Sequence, residues 1–127
     1  MLRPFLILLV AIGFTVVGEL FLKTGMNKIG VLGLQPAVFF PALVRIFTTP
    51  VIVTGFALIF TGSLFWLSVI SRIPLSLAYP LLSTSYVLGV AGSWIFLGES
   101  VSPQRIVGVL IICAGVLVVF TSAEAQG

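Results

Sequence analysis

The first membrane-length stretch of the chain reads PFLILLVAIGFTVVGELFLK and covers residues 4–23. Residues 4–18 carry no charge, and Glu19 and Lys23 then follow within the same apolar segment. A charged side chain at membrane depth costs about 2.5–3.5 kcal/mol on insertion scales, so a charge in such a segment indicates a function. The pair needs neighbouring helices that hold it in the bilayer and a route that connects it to water.

The composition of the whole chain is that of an integral membrane protein. Its 127 residues are 60% hydrophobic and 7% charged, with a mean hydropathy of +1.34. Soluble domains carry about 25% charged residues, so this chain could not cover a water-facing surface. Histidine is absent and Cys113 is the single cysteine, so we expect no metal, no cofactor, no disulfide and no enzymatic activity. The six basic residues lie near segment ends and form no patch for nucleic acid.

Four stretches are long and apolar enough to cross a bilayer as helices. They cover about residues 5–26, 51–70, 75–97 and 103–121. We therefore predict an all-α membrane protein with one four-helix domain over residues 1–127. No small-x-small cleavage motif follows the first run, which we interpret as a span rather than a signal peptide. Ser102 is placed to cap the fourth helix, with Pro103 in its first turn.

The connection over residues 27–49 is long for a structureless loop in a compact domain. It contains Pro36 and Pro41, and Arg45 lies among apolar residues. This composition predicts an additional helix that lies flat at the membrane interface. Four basic residues lie on one predicted side of the membrane and two, Arg3 and Arg72, on the other. The side with more basic residues is expected to be cytoplasmic, and it contains Lys23, Lys28, Arg45 and Arg105. Insertion in both orientations stays open.

Polar residues recur on one face of the first helix. Thr15, Glu19 and Lys23 are spaced by four residues and share that face. One interpretation is an ion pair between Glu19 and Lys23 that neutralises itself and packs against a neighbour. The other is a site for substrate or protons, which we favour because intramembrane ionisable residues usually line a pathway.

The third helix carries a second polar stripe. Ser76, Tyr79, Ser83 and Tyr86 fall at i, i+3, i+7 and i+10. Hydroxyl groups that bond back to the preceding turn are the structural alternative. Pro80 lacks a backbone donor and is expected to kink this helix. A kinked helix with hydroxyl and phenol groups on one side favours the wall of a polar substrate cavity.

Glycines recur every seven residues on the second and fourth helices. Gly55 and Gly62 predict close helix packing, and Gly108 and Gly115 predict a dimer seam. Four short helices do not easily enclose a substrate route alone. We therefore expect a functional dimer whose Glu19-bearing faces meet, with a homodimer and a heterodimer both left open.

The pattern of these four helices resembles the small members of the drug/metabolite transporter superfamily, to which the larger EamA-like domains are related. Glu19 resembles the functional glutamate of the small multidrug resistance exporters, and residues 112–117, ICAGVL, resemble their dimer-packing helix. Residues 73–83, IPLSLAYPLLS, and 99–103, ESVSP, resemble the undecaprenyl-phosphate aminoarabinose flippase subunits instead. In the first helix those subunits have a glycine, a polar residue directly after it and a lysine four residues later, which Gly18, Glu19 and Lys23 match. They usually have glutamine where this chain has Glu19. The exporters typically have tryptophan at position 82 and no lysine at position 23.

The flippase resemblance implies a carrier of a polyprenyl-phosphate-linked amino sugar in the bacterial inner membrane. Under it Glu19 exchanges a proton for a cationic group, and Lys23 contacts a lipid phosphate. Tyr79, Ser83 and Tyr86 orient the polar head. Two alternatives stay open: a proton-coupled antiporter that exports small organic cations, and an accessory subunit of a heteromeric transporter.

Overall fold

The computed structural model describes the backbone of residues 2–126 and the side chains of residues 2–122. The described residues form six helices and no strand. The helices are α1 (Leu2–Ile29), α2 (Pro36–Thr48), α3 (Pro50–Ile70), α4 (Leu75–Leu82), α5 (Thr84–Leu97) and α6 (Pro103–Gln126).

Four segments are long and apolar enough to cross a membrane. They are Leu2–Ile29, Pro50–Ile70, Leu75–Leu97 and Pro103–Ser122. The four predicted membrane helices are confirmed, and α2 confirms that the connection between the first two spans contains an additional helix. The fourth begins as expected, since the Arg105 backbone N–H donates to the Ser102 hydroxyl over 3.2 Å.

The third span is divided into α4 and α5 at Ser83. Pro80 lies inside α4 and has no N–H to donate to the Ser76 carbonyl. Three residues later, the Ser83 N–H donates to the carbonyls of Tyr79 at 3.2 Å and Pro80 at 3.1 Å, which tightens the turn. Tyr79 and Tyr86 lie on either side of this division.

The most extensive helix contact joins α1 and α3. Small residues permit it: Gly18 and Gly55 meet backbone to backbone, and Gly62 lies against the Ala11 carbonyl. Because lipid supplies no hydrophobic drive between helices, close packing of this kind holds membrane helices together. The buried core continues from this contact onto α4 and comprises Leu8, Ile12, Val16, Val69, Ala78 and Leu81.

Helix α6 lies at the edge of the bundle, against α4 and α5. Many of its apolar side chains are exposed, including Ile111, Leu117 and Val118. In a bilayer such side chains face lipid or another membrane protein. One side of the bundle is therefore less enclosed than the α1–α3 side.

Candidate functional site

A cavity of about 670 Å³ lies between α1, the divided third span and α6. Its polar lining combines a carboxylate with hydroxyl and phenol groups, and its α6 wall is apolar. The polar residues are Thr15, Glu19, Tyr79, Ser83, Ser85 and Tyr86. We call it the central cavity. Its polar groups come from α1 and from both parts of the divided third span, so it exists only in the folded bundle.

A second cavity, of about 330 Å³, lies between α1, α5 and the segment after α5. It contains Lys23 of α1 and Glu99, which follows the end of α5, together with Ser93. We call it the charged cavity. Since α1 and α5 run in the same direction through the bundle, Lys23 and Glu99 lie toward the same side of the membrane.

Three residues line both cavities: Glu19, Ser85 and Tyr86. Glu19 therefore lies where the central and charged cavities adjoin, and its side chain is exposed to them rather than packed in the core. A group that moved from one cavity into the other would pass the Glu19 carboxylate.

Aromatic packing positions Tyr79 in the central cavity. The Trp66 and Tyr79 rings meet edge to face, with centroids 5.7 Å apart and planes at 61°. Such a contact is worth about 0.5–1.5 kcal/mol beyond the area it buries. Trp66 of α3, which packs against the core, thus contacts the ring of a cavity residue on α4.

The structure brings most of the expected site residues together. Thr15, Glu19, Tyr79, Ser83 and Tyr86 share the central cavity with Pro80, and Lys23 lines the charged cavity. Ser76 is exposed and lies in the first turn of α4, outside the lining of both cavities. Their binding roles stay predictions.

The two glycines of α6 differ in position. Gly115 contributes to the wall of the central cavity, whereas Gly108 does not. A Cβ atom on either would have no other atom within 4 Å. The space beside both glycines is open, and their role in a dimer seam stays a prediction.

Sequence reasoning missed Ser85 and Glu99 as cavity residues. Ser85 follows the division of the third span, where the spacing of a continuous helix no longer holds. Glu99 is one of only three acidic residues in the chain, and it directly follows the helix-ending Gly98. The scarcity of acidic residues was a usable signal. Among the described side chains, no group of three His, Cys, Asp or Glu residues is placed to hold a metal ion.

Comparison with known proteins gives several similar bacterial chains. No protein-family model and no solved structure match the chain. The relatives from Aeromonas hydrophila, Klebsiella pneumoniae and Salmonella paratyphi B are each named probable 4-amino-4-deoxy-L-arabinose-phosphoundecaprenol flippase subunit ArnE. The chain resembles these flippase subunits. The predicted resemblance is thus confirmed.

The matches are partial. Identity is 38% over 69 residues for the Aeromonas protein, 39% over 61 for the Klebsiella protein and 34% over 71 for the Salmonella protein. They cover 54%, 48% and 54% of this chain, and 60%, 54% and 64% of the respective relatives. The chain therefore spans less than two thirds of the relatives that it matches. Four membrane-length helices and bacterial relatives support the expected multi-pass location in the inner membrane.

Proposed function

We propose that the chain is a flippase-type transport subunit that moves a polyprenyl-phosphate-linked amino sugar across the inner membrane. The observation that carries the proposal is the position of Glu19 at the junction of two polar cavities, one of which contains Lys23. The names of the relatives agree with a lipid of this class. They do not favour a drug exporter.

The headgroup of such a lipid carries charges of both signs. The Glu19 carboxylate accepts hydrogen bonds from the ammonium group of the amino sugar, and the Lys23 ammonium donates to the phosphate. Charge-assisted bonds of this kind are about twice as strong as neutral ones. Sugar hydroxyls then pair with the hydroxyl groups that line the central cavity, so the headgroup exchanges water for protein partners as it enters the membrane.

An apolar groove continues from the charged cavity and suits the hydrocarbon part of the lipid. The groove has a volume of about 370 Å³, lies between α5 and α6, and is lined by Ala91 and Trp94 among other apolar residues. Val90 lines both the groove and the charged cavity. A headgroup in the charged cavity thus leaves its polyprenyl chain beside an apolar surface.

A second subunit completes the route in this proposal. The central cavity is walled on one side by α6, which is the least buried span of the chain. A neighbouring subunit against α6 shelters the headgroup from lipid tails, which offer it no hydrogen-bond partners. The relatives are themselves named as subunits.

The test is ligand binding and proton release by the purified protein in lipid nanodiscs. The ligands are undecaprenyl phosphate, its 4-amino-4-deoxyarabinose derivative and tetraphenylphosphonium. We expect both lipids to bind to the wild type. Glu19→Gln should weaken binding of the amino-sugar lipid, and Lys23→Gln should weaken binding of both lipids. Lys28→Gln, an exposed lysine on the same helix outside both cavities, is the matched control. Proton release by tetraphenylphosphonium that disappears in Glu19→Gln, without lipid binding, would establish the cation antiporter instead.

A further inference from the structure

We propose that Glu99 is a second carboxylate of the transport route and binds the substrate ammonium group at the Lys23 end of the charged cavity. The inference rests on the proposed function, which it deepens by naming the group that first receives the amine. The sequence placed Glu99 after the third span, in a motif that resembles the flippase subunits, and assigned it no role in the site. The structure places it in the lining of the charged cavity, together with Glu19 and Lys23.

The backbone around Glu99 turns it toward the cavity. Gly98 has a φ of 68°, the left-handed conformation that ends helices and that glycine adopts without strain. The Gly98 N–H and the Glu99 N–H both donate to the Ser93 carbonyl, the latter over 3.1 Å. This cap folds the chain back over the last turn of α5, so Glu99 lines the same cavity as Ser93.

One oxygen of the Glu99 carboxylate lacks a hydrogen-bond partner within the described part of the chain. This atom, Oε2, is buried and has no hydrogen bond there. The nearest arginine along the sequence, Arg105, donates from Nη1 to the Ser100 carbonyl at 3.4 Å. A buried carboxylate oxygen without a donor is costly, and a structural carboxylate would have one. An ammonium group in the cavity supplies the missing donor.

The charges that line the cavity suit a zwitterionic headgroup. Lys23 and Glu19 approach from α1 and Glu99 from the end of α5, while the other lining residues are neutral. With Lys23 on the phosphate, the two carboxylates are left for the amine. Glu99 lies at the end of the span and Glu19 at the junction with the central cavity, so the amine passes from Glu99 to Glu19 as the headgroup moves inward.

The experiment uses three lipids: undecaprenyl phosphate, its 4-amino-4-deoxyarabinose derivative, and its arabinose derivative, in which a hydroxyl group replaces the amine. Their dissociation constants are measured in nanodiscs for the wild type, Glu99→Gln and Glu99→Asp. We define the amine preference as the ratio of the dissociation constants of the arabinose and aminoarabinose lipids. We expect Glu99→Gln to lower this ratio about tenfold. Affinity for undecaprenyl phosphate stays within about twofold, because Lys23 still binds the phosphate. Glu99→Asp keeps the charge and retains part of the preference.

Thermal unfolding separates this role from a structural one. Because Glu99→Gln breaks no hydrogen bond at the buried Oε2 position, its unfolding temperature should equal or exceed that of the wild type. Full retention of the amine preference in Glu99→Gln would overturn the inference and leave the proposed function standing. Equal weakening of all the lipids together with a lower unfolding temperature would make Glu99 a structural residue, which also overturns it. Failure of the wild type to bind any of them would overturn the proposed function as well.

Discussion

The backbones of Gly18 and Gly55 cross so closely that a Cβ atom on either residue would lie 2.7 Å from the carbonyl oxygen of the other. Real Cβ atoms do not approach an oxygen to that distance, so neither position accepts a side chain without separation of α1 from α3. Gly18 directly precedes Glu19. With Gly18 turned toward α3, the next side chain points around the helix toward the two cavities.

Substitution at this crossing should destabilise the bundle. We expect Gly55→Ala to lower the free energy of unfolding by about 1–3 kcal/mol, the usual cost of overpacking. Gly13→Ala, on α1 with no atom within 4 Å of the added Cβ, is the control. It should be neutral or stabilising by up to about 1 kcal/mol through helix propensity. Unfolding in lipid or mixed micelles measures both, and equal stability of the two variants would contradict a close crossing.

The sequence was sufficient to predict the helices because membrane thickness determines how many apolar residues a span needs. It also grouped Thr15 with Glu19, since residues four apart share a helix face. It did not predict that Glu99 lines a cavity with Glu19. That arrangement depends on α1 and α5 lying side by side and on the turn at Gly98, neither of which is encoded in local periodicity.

The third span is a second place where local spacing did not predict which residues line a cavity. The spacing from Ser76 to Tyr86 assumes one continuous helix, whereas the structure divides the span at Ser83. After the division Ser85 joins the cavity lining, which a continuous stripe did not include. A proline in the sequence indicates that a helix is perturbed there, but the direction in which the next segment continues is set by packing.

Tyr86 should contribute through its hydroxyl group. Tyr86 lines both cavities, as Glu19 does, so its hydroxyl group can bond to the headgroup in either cavity. Tyr86→Phe keeps the ring and removes the hydroxyl; a hydrogen bond to a charged group is worth about 1.5–3 kcal/mol. We expect amino-sugar lipid binding to weaken by about tenfold or more. Ser76→Ala, which removes a hydroxyl outside both cavities, should bind within about twofold of the wild type. Similar losses in the two variants would argue against a specific role for Tyr86.

The two tryptophans should report on different parts of the lipid. Trp94 lines the apolar groove, whereas Trp66 packs against Tyr79. Trp66→Phe leaves Trp94 as the only tryptophan, and Trp94→Phe leaves Trp66. A polyprenyl phosphate with a brominated chain should quench the fluorescence of the first variant more strongly than that of the second. Excess unlabelled undecaprenyl phosphate should reverse this quenching if it arises from one saturable site. Quenching of Trp94 that is insensitive to the competitor would show only contact with bulk lipid and would contradict a chain-binding groove.

One face of α6 should form a dimer interface. Gly108, Ile111, Gly115 and Val118 share one face of α6, and no atom lies within 4 Å of a Cβ placed on either glycine. Gly115 also lines the central cavity, so a subunit packed on this face would cover that cavity. Gly108→Leu adds bulk to the face at a residue outside the lining of both polar cavities.

Small residues permit close approach of membrane helices, so Gly108→Leu should weaken the dimer and the transport activity together. Leu117→Phe, on a different and exposed face of α6, should leave both unchanged. Single-molecule photobleaching in native-lipid vesicles counts the subunits, and lipid flipping is followed in the same vesicles. A wild-type protein that flips lipid while monomeric would contradict the dimer. A monomeric wild type that becomes active only with a second kind of subunit would make the partner a different chain, and Gly108→Leu would then be expected to block that pairing.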